Sequence, residues 1–392
     1  VNGGTSWSAT DNWSNHLAVN YVHADKHVIT FFPNNSNRVL IGCDGGIFKT
    51  TNNGANWSDL SNGIQVAQIY RIGTSPQNIN LVVSGWQDNG CNKWDGINWT
   101  QIYGADGMEA AIDPTNENTI YECYQYGALS RSYDGGSNWT YIAPTSGDWV
   151  TPFVIDPIEN KRLYYGSTAL YKTENKGNSW SSVSGVSFSN YIQAIAVAPS
   201  DNNIVYAASL DKIYRINIGA NTSKIITTGL PVSSAGINYI AVSNTDPDNV
   251  WVVFAGYSDN NKVFRSTNGG NAWTNVSGSL PNMPVNTITY QNNSDDAVFI
   301  GTDVGIYSTS NANGGNTWRR YGKKLPNVMV HELEINYTSN KLVAATYGRG
   351  VWQVDLPALS ARSNVSNPQK EILKASVFPN PVKDFLNISI AN

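Results

Sequence analysis

The sequence predicts an all-β fold, a single β-propeller built from four-stranded sheets, on three observations. A ten-residue turn, RSYDGGSNWT at residues 131–140, recurs in degraded form along nearly the whole chain. Its tryptophans keep a blade-like spacing: Trp57, Trp99, Trp139 and Trp180 stand 42, 40 and 41 residues apart, Trp180 to Trp273 is 93, two periods with one tryptophan missing, and Trp273 to Trp318 is 45. Between the turns each period reads as short β-rich segments separated by Gly, Pro, Asn and Asp, with no long helical pattern. A repeat of about 40–50 residues with four short strands is propeller spacing.

The turn has a local physical basis. Asp134 is a short carboxylate that can accept bonds from nearby backbone N–H groups and hold a tight loop without long-range help. Gly135 and Gly136 permit backbone angles that a Cβ forbids, and Trp139 opens the next strand with a large apolar face that pins the turn to the sheet beneath. Related copies are TTNNGANW ending at Trp57, TENKGNSW at Trp180, STNGGNAW at Trp273 and NANGGNTW at Trp318. A shortened one, WDGINW, ends at Trp99, and NGGTSW at Trp7 reads as one more, cut at its front. The N-x-S/T triplets at Asn56, Asn98 and Asn138 fall inside this turn consensus, so the turn accounts for them better than glycosylation does.

In the first full copy the strands and turns read HVITFFP, NNSN, RVLIG, CDGG, IFKTT, NNGA and NWSDL. Later copies begin near Gln68, Met108, Val150, Ile192, Ile237 and Val285, and the copy from Ile192 to Leu230 has INIGANTSK in place of its turn and tryptophan. An eighth copy, VMVHELEIN, KLVAAT, YGRG and VWQVDL, lacks a fourth strand. The segment around Trp7 is expected to supply it, because a closed ring leaves no exposed sheet edge. Eight blades over residues 1–356 are therefore expected, with seven as the alternative. A polar linker, residues 357–370, and a partial further domain, residues 371–392, follow.

Composition narrows the function. Only 14% of residues are charged, the net charge is −4, and aromatics reach 11% with 13 Trp and 21 Tyr. That excludes the basic face of a nucleic-acid binder and suits a neutral, polar or carbohydrate-like partner. No apolar run of 18 residues occurs, so no membrane span is expected. The chain opens inside a truncated turn without an initiator Met or signal peptide and reads as a processed or trimmed part of a longer precursor. Cys43, Cys91 and Cys123 do not have zinc-site spacing; buried free thiols are expected, with a Cys91–Cys123 bridge as the alternative.

The turns resemble the Asp-box of the BNR-repeat families, found in sialidases, sortilin-like receptors, xyloglucanases and photosystem assembly factors; the resemblance implies fold rather than chemistry. The ordered set VHADKH, DGGI, QDNG, GADG, YQYG and TYGRGVW, over residues 21–356, resembles bacterial sortilin-like proteins often labelled glycosyl hydrolases. Near the C-terminal end, VFPNPVKDFLNISI resembles the opening of the sorting domain of type IX secretion cargo, a small β-sandwich. That resemblance implies export across the outer membrane of a Bacteroidetes-type bacterium, the type IX machinery as a partner, and an extracellular or outer-membrane-surface location.

In a four-stranded blade the loops alternate faces, so the Asp-box turns share one rim. The turns between second and third strands, and the links between blades, share the other, where propeller sites usually lie. That face is expected to carry His23, Asp25 and His27 from HADKH, then Asp44, Gln87, Asp88, Asn89, Asp106, Glu109, Tyr124, Gln125, Asp148, Asp303, Tyr347 and Arg349. The leading reading is a secreted or surface module that binds extracellular glycan or a surface protein. His23, His27, Gln87, Asn89, Tyr124, Gln125, Asp148, Tyr347 and Arg349 are its ligand-binding candidates, with Trp86, Tyr103, Tyr124 and Trp149 as stacking platforms. The alternative is a glycoside hydrolase, which needs two carboxylates about 5–9 Å apart and would draw them from Asp25, Asp44, Asp88 and Asp106. A structural or adhesive surface component is the third reading.

No cofactor is expected, a structural cation apart. In an extended strand His23 and His27 lie about 13 Å apart, too far to share one metal ion without a bend or a partner such as Asp44 or Asp88. A histidine–carboxylate hydrogen-bond network is the simpler use of these groups. A sialidase is disfavoured: YRIG at residues 70–73 lacks the proline of that family's arginine motif, and nothing marks further arginines to clamp a carboxylate.

Overall fold

The computed structural model describes residues 4–357 and the backbone of two later strands, Lys374–Phe378 and Asn387–Ala391. Contacts divide the chain after Leu356. In the first unit eight antiparallel sheets follow one another along the chain, seven of four strands and the last of three. The third is representative, with strands Gly107–Asp113, Asn116–Tyr124, Ala128–Ser132 and Thr140–Tyr141 pairing in that order. In the second unit the two late strands pair antiparallel; the linker and the rest of the expected sorting domain lie outside the described residues.

Strand composition follows position in the blade. Second strands such as Ile204–Ser209 and Val250–Phe254 are buried at every residue. A strand covered on both faces by neighbouring sheets reads as a continuous apolar run rather than an alternation. Fourth strands are short and exposed, as in Thr140–Tyr141.

The recurring turns behave as their chemistry predicts. Asp134 Oδ1 accepts the N–H groups of Ser137 at 3.0 Å and Asn138 at 2.8 Å, while the Ser132 hydroxyl donates to Asp134 at 2.7 Å and accepts the Gly136 N–H at 2.9 Å. Bonds from Asn138, its side chain first, and from Ser132 lower the Asp134 carboxyl pKa to about 2. Gly136 has φ 97°, and a Cβ there would stand 3.0 Å from Ile102. Four of the turns then tie adjacent sheets through the indole N–H: Trp139 donates to the Ile102 carbonyl, Trp180 to Ile142, Trp273 to Ile226 and Trp318 to Val276, at 2.7–2.9 Å.

Eight blade-type sheets are present, but the ring closes differently from expectation. Trp7 is 90% exposed and its segment forms no strand. An Asp11–Lys26 ion pair of 2.6 Å ties that segment to the first sheet. Closure runs instead through the eighth sheet, whose first strand, Val330–Asn336, packs against Ile69–Thr74 of the second. Glu332 accepts the Ile72 N–H at 2.6 Å, Glu334 accepts the Thr74 N–H at 2.7 Å, and the Asn336 amide donates to the Ser75 carbonyl at 2.8 Å. Side chains thus satisfy backbone groups that a supplied fourth strand would not have reached. The first sheet lies beside this ring: its first strand, Lys26–Phe32, leaves Val28, Ile29 and Phe31 more than half exposed.

All three cysteines are free thiols, so the alternative of a Cys91–Cys123 bridge does not hold. Cys91 and Cys123 are buried within their sheets. Among the described residues no helix is long and apolar enough to cross a membrane.

Candidate functional site

The loops after second strands and between sheets gather most of the expected residues into two neighbouring groups. In the first, Asp25 adopts φ 52°, which breaks the extended run and sends the two histidines to different partners. His23 Nε2 donates to the Asp88 carbonyl at 2.9 Å, and His27 Nε2 lies 2.5 Å from Asp44 Oδ1. Asn89 donates to the Asp44 carbonyl at 3.1 Å, Asp106 accepts the Asp88 N–H at 2.6 Å, and Gln125 accepts the Asp106 N–H at 3.2 Å. One carboxylate oxygen each from Asp25, Asp44 and Asp88 comes within 4.8 Å of the others. That spacing would admit a hard cation. Burial, then Asp106 and Asp44, raises the Asp88 carboxyl pKa.

The second group is aromatic. Gln87 Oε1 accepts the hydroxyls of Tyr70 and, at 2.8 Å, Tyr347, and the Trp149 indole donates to Tyr70 at 3.1 Å. The His331 ring lies 5.9 Å from Tyr70 and 4.8 Å from Tyr347; burial, then the Arg71 charge, lowers its pKa to about 4. Tyr126 is held at φ 62° in the loop Gln125–Gly127, half exposed, edge-on to Trp149 with ring centroids 5.3 Å apart. A bulky residue at positive φ is a genuine backbone outlier. Tyr126 is such a residue, and Asp25, Asp88 and Ala105 in these adjoining loops also have positive φ.

Several expected residues stand apart from these groups. Asp148 accepts from Gln193 at 2.7 Å, Arg349 lines a groove with Trp86 and Trp99, and Asp303 bonds Asn286 and Tyr257 on later sheets. The Tyr124 ring packs on Tyr103, centroids 5.8 Å apart.

Below lies a cavity of about 500 Å³ whose polar lining includes Arg71, Glu109, Tyr239, Glu332 and Glu334. Glu109 faces Arg71 at 3.3 Å, and Tyr239 donates to Glu332 at 2.9 Å. Burial raises all three carboxyls, that of Glu334 to about 8, with Glu332 adding to the shifts of Glu109 and Glu334. Burial likewise raises Glu122, inside the third sheet, to about 8. Sequence reading named Glu109 but missed Arg71, Tyr126, His331, Glu332 and Glu334. The signal available was HELEIN, two glutamates alternating with Leu333 and Ile335.

These carboxyls predict a pH dependence. Their folded pKa values exceed the unfolded value of about 4.3, so their contribution to stability is fully present below that pH and is lost as pH rises through the folded values, about 8 for Glu334 and Glu122. His331 acts oppositely, losing its contribution as pH falls from about 6.5 through its folded value of about 4, but it is one group against four. The urea midpoint is therefore expected to be higher at pH 6 than at pH 8.5. An unchanged or rising midpoint would mean the carboxyls are ionised in the folded ring.

No family model matches the chain, and no curated protein sequence does. Solved structures do. YCF48 from Cyanidioschyzon merolae matches at 15% identity and TM-score 0.54, covering 73% of this chain and 94% of its own. The extracellular domain of the putative one component system BT4673 from B. thetaiotaomicron matches at 15% identity and TM-score 0.56, covering 74% of this chain but 38% of that one. U3-55K matches at 12% identity and TM-score 0.58, covering 75% and 97%. At these identities the likeness shows the β-propeller fold. YCF48 has also been solved bound to a D1 peptide.

Proposed function

We propose that this chain is an extracellular ligand-binding propeller whose loop face takes a hydroxyl-rich ligand, a glycan chain, without cleaving it. The observation that carries this is Tyr126, a half-exposed ring held in a left-handed backbone conformation against Trp149. Strain of this kind, at a cost of about 1–3 kcal/mol per residue, persists where the surroundings enforce it and clusters at ligand sites. A fixed ring face suits stacking on a sugar, and the adjoining Gln125, Asp106 and Asn89 suit its hydroxyls.

Cleavage is disfavoured by the carboxylates themselves. Asp44 is engaged by the His27 ring and Asp106 by the Asp88 backbone N–H. A surface location accords with the resemblance of residues 371–392 to type IX sorting domains. A peptide ligand is the second reading, favoured by the peptide-bound structure of YCF48.

Affinity electrophoresis through gels containing soluble xyloglucan, xylan, laminarin or mannan tests the reading. Retardation by at least one glycan, reduced about tenfold by Tyr126→Ala with unchanged circular dichroism, is expected. Release of reducing ends would establish a hydrolase instead. No retardation by any glycan would leave the peptide reading.

A further inference from the structure

We propose that the outer edge of the strand Gly350–Asp355 is a strand-addition site for an extended acidic peptide with apolar side chains at alternate positions. This surface is separate from the loop face described above. Among the described residues the first seven sheets each have a fourth strand and the eighth has none. Its third strand pairs with Lys341–Thr346 on one side only. The Leu356 N–H to Asn340 carbonyl bond fixes which residues face that partner. Alternation along the ladder then turns the backbone groups of Val351 and Gln353 outward. Unpaired groups on an edge are a template for another strand.

The space beside the edge fits such an occupant. One open groove, about 450 Å³, is lined by Tyr321, Leu325, Leu342, Trp352 and Val354. On the other face of the sheet a second groove, about 490 Å³, is lined by Ile64, Val66, Trp99 and Val351. An added strand sends successive side chains to opposite faces, so alternate apolar residues would enter the first groove and the residues between them would meet the second. Main-chain bonds would supply affinity and the grooves selectivity.

Charge specifies the rest. In a chain of net charge −4, RRYGKK places Arg319, Arg320, Lys323 and Lys324 within six residues. Arg320, Lys323 and Lys324 line the first groove, both lysines exposed, and Arg349 lines the second. Cations at both grooves favour a peptide bearing carboxylates.

The probe is a fluorescein-labelled eight-residue peptide alternating valine with threonine or glutamate, compared by anisotropy with a scrambled peptide of equal composition. Preferential binding is expected, weakened about tenfold by Gln353→Pro, which removes an edge donor, and about tenfold by Lys323→Glu/Lys324→Glu. The peptide should also slow amide exchange at Val351 and Gln353, a readout that stands even if the proline variant folds poorly. Equal binding of the scrambled peptide, or none of either, overturns the proposal. So does a concentration-dependent dimer abolished by Gln353→Pro, which would assign the edge to a second copy. Slow exchange at both amides in the free protein would assign it to another segment of the chain and overturn the proposal as well.

Discussion

Glu332→Ala is expected to destabilise the fold by about 3–5 kcal/mol, the range for removing one partner from a buried charged network. Glu332 accepts from the Ile72 backbone at 2.6 Å and from the Tyr239 hydroxyl at 2.9 Å, and its charge faces Arg71. Burial opposes the charge on Arg71, yet Glu109 and Glu332 more than offset this and raise its pKa. Alanine would leave a buried backbone donor and a hydroxyl without their carboxylate acceptor, each costing about 1–3 kcal/mol. Glu332→Gln keeps the shape and one acceptor, so its loss should be smaller, about 1–2 kcal/mol. Denaturant unfolding gives the magnitude, and amide exchange at Ile72 and Thr74 gives the place. If the loss is at the ring closure, those two amides should exchange faster while the fifth and sixth sheets do not change. A midpoint within error of the parent protein would mean that this carboxylate does not hold the closure.

The repeat was legible because its cause is local. The Asp134 turn needs only Ser132, two glycines and Trp139, all within eight residues, and such a device repeats visibly in sequence. Closure was not legible, because it depends on the Val330–Asn336 strand meeting Ile69–Thr74, some 260 residues away in the chain. The sequence did mark that strand, since two glutamates in HELEIN have to find partners once buried. What it could not say is that the partners are main-chain N–H groups of the second sheet. The loop face was legible in composition but not in geometry. Asp25 turning to positive φ sends His23 to the Asp88 carbonyl and His27 to Asp44, and no spacing rule anticipates that turn. Tyr126 was passed over between Gln125 and Gly127 for the same reason, since its prominence comes from φ rather than from residue type.

Trp318→Ala and Trp7→Ala are expected to differ by nearly the whole effect of a buried tryptophan, although both residues end a copy of the same turn. Trp318 is 6% exposed and packs in a cluster with Trp251, Val276 and Val298. Its indole N–H donates to the Val276 carbonyl at 2.8 Å. Its backbone N–H donates to the Ser279 hydroxyl at 3.0 Å, so the residue ties the seventh sheet to the sixth by packing, side chain and main chain together. Truncation removes the packing and the indole bond and opens a cavity between sheets, at a cost of about 3–5 kcal/mol. Trp318→Phe would keep most of the apolar area, so its smaller loss isolates the hydrogen bond, about 1 kcal/mol, plus the difference in ring size. Trp7 is 90% exposed, and its replacement should stay within about 0.5 kcal/mol. Urea unfolding of the three variants decides between two accounts of the first turn copy. A small effect at Trp7 means that the copy has the motif without the inter-sheet contact. A loss at Trp7 comparable with that at Trp318 would mean that in solution the segment closes the ring as a fourth strand, and the edge at Gly350–Asp355 would then be covered by the chain itself.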